Sequence, residues 1–232
     1  MKTVYNVLAV FCFIPIFWAL WDQNLSEWVL QAAKLDRKVL GIEILPEQIQ
    51  TANPFFLLVF IPIFNYWIYP FLDKRGIKTT PLRRIGTGLV LTAISFIVIA
   101  LIQTKVDAGQ HPWVMWQVLA YIILAAAEVL VSITGLEYAY TQASRSMKST
   151  MIAIWLLTTA LGNLFTALVN QSIATGGFFS QFKGAGYYWF FTGLLGVFIV
   201  IYLVVSPFIK QKEEDEVLAL IDDEQILYVL ND

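Results

Sequence analysis

Two carboxylates lie inside stretches of the sequence that are otherwise apolar. Asp22 follows a run of aromatic and aliphatic residues, and Glu128 follows three alanines. A charged side chain in the centre of a membrane helix costs at least about 2.5–3.5 kcal/mol on insertion scales, and such residues usually mark substrate or proton paths. A carboxylate that takes a proton from one side and later releases it can change what a site binds. The alternative is a structural role, as an ion pair with another helix or as a carboxyl kept neutral by burial.

Helical spacing places polar or aromatic neighbours beside both carboxylates. Trp18 and Asp22 are four residues apart, and so are Glu128 and Ser132. Residues four apart share one face of a helix. The sequence therefore predicts a polar stripe on the helix that carries Glu128, and it places Trp18 and Asp22 on one face of another helix.

Neither carboxylate has a cationic partner within the predicted spans, since no lysine or arginine lies at membrane depth. An ion pair that breaks on protonation would make a proton switch, and half of that pair is missing from this sequence. Glu137 differs from Asp22 and Glu128 in its position, because it lies near the end of its helix. An ion pair with Lys148 or Arg145 is the simpler interpretation for it.

The overall composition is that of a membrane protein. Hydrophobic residues make up 58% of the 232 positions and charged residues 14%, and the mean hydropathy is +0.68. Soluble domains are roughly half apolar and about a quarter charged. No phosphate-binding glycine loop, nucleophile elbow or paired metal ligands appear, and no basic stripe indicates nucleic acid. The single cysteine, Cys12, has no partner for a disulfide and is interpreted as a small buried hydrophobe.

The elements that must position the two carboxylates are six apolar stretches, each long enough to cross a bilayer as a helix. The second carries three prolines, which packed membrane helices tolerate as kinks. We therefore predict an all-α membrane protein, with a six-helix bundle over residues 1–210 and an acidic cytosolic tail over 211–232. The predicted spans are about 5–32, 53–72, 85–104, 113–140, 150–173 and 187–209.

The distribution of lysine and arginine predicts the orientation. With the N-terminus in the cytoplasm, ten of the 15 basic residues fall on the cytoplasmic side and five on the other. Cytoplasmic loops carry the basic excess, and an even number of spans returns the chain to the side where it began. The sequence thus predicts a multi-pass protein of the inner or plasma membrane with both termini in the cytoplasm.

Several segments resemble proton-dependent oligopeptide transporters, a family with the major facilitator fold. The segment from Glu128 to Ala143 is similar to that family's tenth-helix signature, Glu-x-x-x-Ser-x-Thr-Gly-Leu-Glu-Phe. Phe17-Trp18-Ala19-Leu20-Trp21-Asp22-Gln23 resembles its seventh helix, Asn53-Pro54 its eighth, and Thr80-Pro81-Leu82-Arg83-Arg84 its next cytoplasmic loop. The resemblance extends from Phe17 to about Ser172 and implies the C-terminal half of such a transporter.

The resemblance also implies roles for particular residues. The acid that matches Glu128 lies at the amino terminus of the bound peptide, and the acid that matches Asp22 pairs with an arginine of the N-terminal half. Trp18, Asn53 and Trp155 match positions that line the central cavity, and Ser132 belongs to the same stripe as Glu128. The expected substrate-binding residues are thus Glu128, Trp18, Asn53, Ser132 and Trp155, with Asp22 and Glu128 as the proton-coupling or gating pair.

The sequence departs from the family in length and in two features. Tyr138 stands where phenylalanine is common, and the Glu-x-x-Glu-Arg motif tied to proton coupling is absent. Major facilitator proteins have two six-helix halves with the substrate between them, so we expect a fragment or one chain of a split protein that needs an N-terminal half. The expected partners are this half, small peptides and the lipid bilayer, with protons as coupling ion, no cofactor and no nucleic acid.

Three other functions remain open at the level of sequence. The chain could belong to a same-family transporter of another small solute, such as nitrate. It could be a membrane scaffold that binds a partner bundle and transports nothing. A membrane enzyme is the third possibility, although no catalytic constellation supports it.

Overall fold

The fold is a bundle of six long helices. The computed structural model describes residues 2–142 and 147–209, with side chains from residue 6 onward, so Arg145 and the predicted tail over 211–232 lie outside the described residues. The six helices that are long and apolar enough to cross a membrane are Asn6–Ala32, Pro46–Lys74, Pro81–Asp107, Met115–Gln142, Lys148–Ala174 and Ala185–Phe208. They are called the first to sixth spans below.

Each span runs close to the range predicted from the sequence, and the largest difference is at the start of the second. Its helical residues begin at Pro46, seven positions before Asn53, because a short helix over Pro46–Ile49 leads into the main helix over Ala52–Ile63. The third and fifth spans are uninterrupted helices over Pro81–Asp107 and Lys148–Ala174. The six-span architecture predicted from hydropathy is confirmed.

The first, second and fourth spans are interrupted at their middles. The first changes from α-helix at Ile14–Trp21 to a 3₁₀ turn at Asp22–Leu25, before helix resumes at Glu27–Ala32. In the second, π-helix follows Pro62, a residue that cannot donate a backbone hydrogen bond. In the fourth, a π-helical turn follows Glu128. The two π-helical turns are wider than α-helical ones; turns of this kind are rare and occur often at functional sites.

Close helix contacts depend on two glycines. A Cβ atom at Gly88 in the third span would lie 2.5 Å from Val131 Cγ2 of the fourth. A Cβ atom at Gly162 in the fifth span would collide with the Pro15 carbonyl oxygen and lie 2.8 Å from the Ala19 nitrogen of the first. Small residues let membrane helices approach to backbone contact, so these positions set the distances between the paired spans.

The core of the bundle is formed by the first, third and fourth spans. About half of the most apolar stretch of each is buried, compared with 11% in the second span and 22% in the fifth and sixth. Buried glutamines form hydrogen bonds between these spans near one end of the core. Gln31 donates to Gln103 Oε1 at 2.8 Å, and Gln117 donates to the Trp28 carbonyl at 2.8 Å.

The structure adds one small element that the sequence did not predict and corrects one interpretation of a residue. The polar stretch after the first span contains a small antiparallel hairpin, in which Lys38–Val39 pairs with Ile42–Glu43. Leu40 and Gly41 form its turn with positive φ angles, and Arg37 braces it through an ion pair with Glu43 at 2.9 Å. Cys12, expected to be buried, is exposed, because it lies at the break between helices Lys2–Phe11 and Ile14–Trp21.

Candidate functional site

The carboxylate of Glu128 lies among three of the six spans. Its Oε2 atom accepts a hydrogen bond from Trp21 Nε1 of the first span at 2.9 Å and one from Asn53 Nδ2 of the second at 2.9 Å. Both donors are uncharged and both bind the same oxygen. The second oxygen, Oε1, accepts no hydrogen bond from any residue that the structure describes. One edge of the carboxylate is therefore fixed and the other is available to a ligand or a proton.

The interruptions of the spans put these three side chains together. Trp21 ends helix Ile14–Trp21 just before the 3₁₀ turn. Asn53 lies in the first turn of helix Ala52–Ile63, and Glu128 is the last residue before the π-helical turn. Asn53 is only 4% exposed, and its Oδ1 atom has no partner among the described residues. That acceptor oxygen gives the site a further unused hydrogen-bonding group.

Tryptophans from the first and fifth spans form an aromatic wall beside the carboxylate. The ring of Trp18 packs edge-to-face against Trp21 at 5.4 Å and against Trp155 at 6.2 Å between centroids. The Trp155 ring lies against Gly135, where a Cβ atom would be 2.8 Å from the ring. Trp18 Nε1 is buried without a partner in the described part of the chain. Both rings are largely buried in the structure, since Trp18 is 9% and Trp155 7% exposed, and they form a packed apolar wall next to a polar centre.

Asp22 occupies the first position of the 3₁₀ turn. The side chain of Asn163 in the fifth span lies near its carboxylate, and the charges of Asp22 and Glu128 lie close enough to interact. Asp22 Oδ2 is buried and has no hydrogen-bond partner among the described residues. Two carboxylates at membrane depth are thus within electrostatic reach of each other. Two neutral donors hold Glu128, whereas Asp22 keeps a buried oxygen without a partner among the described residues.

The fourth and fifth spans hold the turn at Asp22 in place. Tyr121 donates its hydroxyl hydrogen to the Asn24 carbonyl at 3.0 Å, and Thr166 donates to the Ala19 carbonyl at 2.9 Å. Gln23 also donates to the Ala19 carbonyl, at 2.8 Å. These bonds give the backbone oxygens around the break in the helix hydrogen-bond partners from side chains. The turn is therefore an ordered element that can position Trp21 and Asp22.

The structure brings together most of the residues that the sequence singled out. Glu128 and Asn53 are hydrogen-bonded, and Trp18 and Trp155 stand side by side. Ser132 is half-buried in the π-helical turn and makes no hydrogen bond to Glu128 in the structure. Trp21 was missed, although it precedes Asp22 and is three residues from Trp18, a spacing that puts it on the same helix face.

Ion pairs with the two carboxylates are absent within the described part of the chain, where Arg37–Glu43 is the one pair found. Of the two partners predicted for Glu137, Lys148 forms no ion pair with it: the Lys148 ammonium lies 5.9 Å from the centre of the Tyr140 ring, and Glu137 is exposed. The other predicted partner, Arg145, lies outside the described residues. The described residues also contain no cluster of His, Cys, Asp or Glu that could hold a metal ion.

Comparison of the sequence with known families identifies one match. The profile of the POT family matches residues 1–189 of this chain. The peptide transporter PTR2 of Saccharomyces cerevisiae is 30% identical over 97% of this chain and 37% of its own length. Peptide transporter family 2 of Caenorhabditis elegans is 45% identical over 46% of this chain and 14% of its own length.

Solved structures of the same family share the fold. The crystal structure of an auto-inhibited POT family peptide transporter superposes on 92% of this chain with a TM-score of 0.80 and 29% identity, and that match covers 42% of the transporter. The POT family transporter PepTSo gives a TM-score of 0.78 with 33% identity over 89% of this chain and 41% of its own. The chain thus spans about two fifths of these solved transporters.

Proposed function

This chain belongs to the POT family, and on that premise we propose that it forms the C-terminal six-helix bundle of a proton-coupled symporter of di- and tripeptides. It is a multi-pass membrane protein with the fold of POT family transporters. The peptide site would lie between this bundle and an N-terminal six-helix half, because substrates of major facilitator proteins bind at the interface of the halves near the midplane.

The arrangement around Glu128 is the observation that carries the proposal. A carboxylate with one oxygen fixed by Trp21 and Asn53 and the other without a partner suits a primary ammonium, which carries three donors and no acceptor. A charge-assisted hydrogen bond in a water-poor site is about twice as strong as a neutral one. Glu128 would therefore bind the peptide amino terminus, while Trp18 and Trp155 contact apolar side chains of the peptide.

Proton coupling is assigned to the two carboxylates together. Asp22 and Glu128 lie within electrostatic reach of each other, so the charge on one changes the cost of charging the other. In the proposed transporter, cations of the N-terminal half pair with both, and protonation releases them. Protons are then the coupling ions, and the proposed function calls for no cofactor. Ser132 is proposed as a polar residue of the substrate path next to Glu128.

The proposed orientation places both termini in the cytoplasm. Its support is the excess of lysine and arginine at one end of the bundle, which the positive-inside rule assigns to the cytoplasmic side of the inner or plasma membrane. The basic loop between the second and third spans is the main contribution to that excess.

The test is uptake by proteoliposomes that contain this chain together with the N-terminal half of a POT family transporter. We expect labelled dipeptide to accumulate under an inward proton gradient and a protonophore to abolish accumulation. An N-acetylated dipeptide, which lacks the ammonium group, should compete poorly. Two results would exclude amine recognition by Glu128. The first is that the N-acetylated dipeptide competes as well as the unmodified dipeptide, and the second is that nitrate is taken up instead of dipeptide. Stable association of the halves without uptake of any solute would indicate a scaffold.

A further inference from the structure

A groove of about 750 Å³ opens between the second, third and sixth spans, away from Glu128. One end is formed by the basic loop before the third span and by the end of the sixth. Tyr202 of the sixth span closes one wall, since its hydroxyl donates to the Leu82 carbonyl at 2.8 Å. Gly86 allows this approach, because a Cβ atom there would already lie 3.0 Å from the Tyr202 ring. Packing contacts between the helices therefore define the shape of the groove.

The rim of the groove is strongly basic. Lys78, Arg83 and Arg84 line it, and none of the described residues that line it is acidic. Two carboxylates lie near the groove: Asp73 accepts a hydrogen bond from the lining residue Thr79 at 3.1 Å, and Glu137 is within electrostatic reach of the lining residue Tyr69. No ion pair within the described residues neutralises any of the three cations. The lining of the groove therefore carries a net positive charge.

Arg84 is held with unused hydrogen-bonding capacity. Its guanidinium carbon lies 3.8 Å from the centre of the Tyr69 ring, and its terminal nitrogen reaches the Thr79 hydroxyl at 3.4 Å. Its Nε–H is buried without a partner among the described residues. A guanidinium fixed by stacking on an aromatic ring is pre-organised to bind a phosphate in two-point geometry.

Below this rim the groove is apolar and continues along the helices. The third span contributes side chains from Arg83 to Val90, a distance of about 10 Å along the helix axis. The remaining apolar lining includes Phe64, Ile68, Leu72, Leu130, Leu203 and Ile209. Val90 and Leu203 are exposed in the described chain, as expected of side chains that contact lipid. The groove therefore has a basic end that continues into an apolar channel.

We propose that this groove binds one anionic glycerophospholipid, with the phosphate at Lys78, Arg83 and Arg84 and an acyl chain along Leu72, Val90 and Leu203. Basic pockets between helices at the cytoplasmic surface are a recurrent site for anionic headgroups. The cytoplasmic placement rests on the proposed orientation, whereas binding itself depends only on the charge and shape of the groove. The site is separate from Glu128 and does not depend on transport.

The test compares lipid retention by the purified chain. Native mass spectrometry after exchange into mixed phosphatidylglycerol and phosphatidylcholine should show one retained phosphatidylglycerol. The double variant Lys78→Gln/Arg83→Gln, which leaves the stacked Arg84 in place, should lower that retention at least about tenfold, since each basic residue near an anionic lipid contributes severalfold to its attraction. Lys105→Gln, which removes an exposed cation elsewhere, is the matched control and should retain lipid as the parent does. Thermal unfolding checks that all three proteins fold.

Four outcomes would overturn the proposal. Equal retention of both lipids would remove the anionic requirement, and unchanged retention in the double variant would place the lipid elsewhere. Equal stabilisation by glycerol 3-phosphate and by phosphatidylglycerol would indicate an anion site with no role for the acyl chain. The sequence after Ile209 contains four acidic residues, Glu213 to Glu216. If phosphatidylglycerol binds only after these four are changed to Gln or Asn, that segment and not a lipid is the native occupant.

Discussion

Glu128 differs from a structural membrane carboxylate in the chemistry of its partners. A buried acid that only stabilises the fold is expected to have its oxygens paired, usually with a cation. Here one oxygen receives two neutral donors, Trp21 and Asn53, and the other receives none from the described residues. Neutral donors orient the carboxylate without cancelling its charge. The group remains able to bind a cation or to take up a proton.

Replacing Glu128 with Gln tests this assignment directly. Gln keeps the shape and can still accept from Trp21 or Asn53, but it has neither charge nor a titratable proton. Truncating one partner of a buried charge pair typically costs about 2–5 kcal/mol. We expect proton-driven dipeptide uptake by the two-half transporter to fall at least about tenfold, a loss of about 1.4 kcal/mol or more. The measurement is initial uptake rate in proteoliposomes, normalised to folded protein.

Glu137→Gln is the control for this substitution, since Glu137 is on the same span, is exposed and forms no ion pair with the described residues. It should transport like the parent. If Glu128→Gln also transports like the parent under a proton gradient, Glu128 is structural and the assigned amine site is wrong.

Trp21→Phe isolates the contribution of the donor that the sequence analysis missed. Phe keeps a ring that can pack on Trp18 but removes the Nε1–H that holds Glu128 Oε2. A hydrogen bond to a charged group contributes about 1.5–3 kcal/mol. We expect dipeptide affinity to weaken at least about tenfold, and we expect little additional loss when Glu128→Gln is also present, because the two residues act as one unit.

The control for Trp21→Phe is Trp116→Phe, at an exposed tryptophan of the fourth span. The measurement is half-maximal dipeptide concentration for uptake in the single and double variants. Additive losses in the double variant would show that Trp21 acts independently of Glu128.

Sequence reasoning selected the two acids of the candidate site but not the contacts that hold them. Apolar context marked Asp22 and Glu128, and motif resemblance indicated Asn53, Trp18 and Trp155. The bond from Trp21 could not be derived, because it depends on the change to a 3₁₀ turn at Asp22 and on the distance between two spans. For Ser132, sequence reasoning predicted a pairing that the structure does not show. Helical spacing paired it with Glu128, but the π-helical turn that contains it changes the periodicity on which that inference depended.

At the scale of elements, glycines decide how closely the spans that carry the site approach. Gly162 lies against the backbone of the first span beside Trp18, and a Cβ atom there would be 2.9 Å from Trp18 Cβ. The affected contact is between backbones, so a rotamer change cannot relieve it. The position of the aromatic wall therefore depends on this glycine.

Gly162→Ala should destabilise the bundle, since it forces the first and fifth spans apart. Overpacking of a tight contact costs about 1–3 kcal/mol, which corresponds to roughly 3–10 °C in the melting temperature. Gly196→Ala is the matched control, because nothing lies within 4 Å of the Cβ position there, and it should melt as the parent does or slightly higher. Thermal unfolding in detergent, followed by size-exclusion chromatography, measures both. Equal melting of the two variants would show that the spans are less closely packed at Gly162.

Hydropathy was sufficient to locate the spans because their apolar runs are long and the intervening charges are clustered. It could not locate the interruptions within them. Pro62 indicates a local disturbance of the second span, but no comparable residue marks the π-helical turn after Glu128. The hairpin at Lys38–Glu43 was missed because a two-residue strand has no periodicity to detect, and its turn places Leu40 in a conformation unusual for a residue other than glycine.

At the scale of the whole molecule, the exposed surface is concentrated on the second, fifth and sixth spans. Large apolar side chains of the fifth span, such as Leu156, Leu161 and Leu164, are about half-exposed or more. Such an apolar surface can be covered by lipid or by another helical bundle. The candidate site is composed of the first, second, fourth and fifth spans, so the second and fifth are both poorly buried and adjacent to it. This distribution leaves room for the proposed partner bundle across the site.

The orientation of the bundle can be tested with single cysteines in a Cys12→Ser background. Ile77 lies in the basic loop before the third span, and Phe178 lies in the loop between the fifth and sixth spans; both are exposed. With both termini cytoplasmic, an impermeant thiol reagent applied to intact cells should label Phe178→Cys and should label Ile77→Cys only after permeabilisation. The opposite pattern, or equal labelling of both, would reject the orientation.

The chain by itself should not accumulate dipeptides. Alternating access in a major facilitator protein requires one six-helix half to move against another around a central site, and the described residues provide six spans and one set of site residues. Asp22 and Glu128 also lack the cationic partners on which a protonation switch depends. The measurement is dipeptide uptake into proteoliposomes under an inward proton gradient, with and without protonophore, and liposomes that contain both halves serve as the positive control. Accumulation that is abolished by protonophore in liposomes with this chain alone would contradict the prediction. Chemical crosslinking between copies would then identify the second half of the cavity as another copy of this chain, related to the first by twofold symmetry.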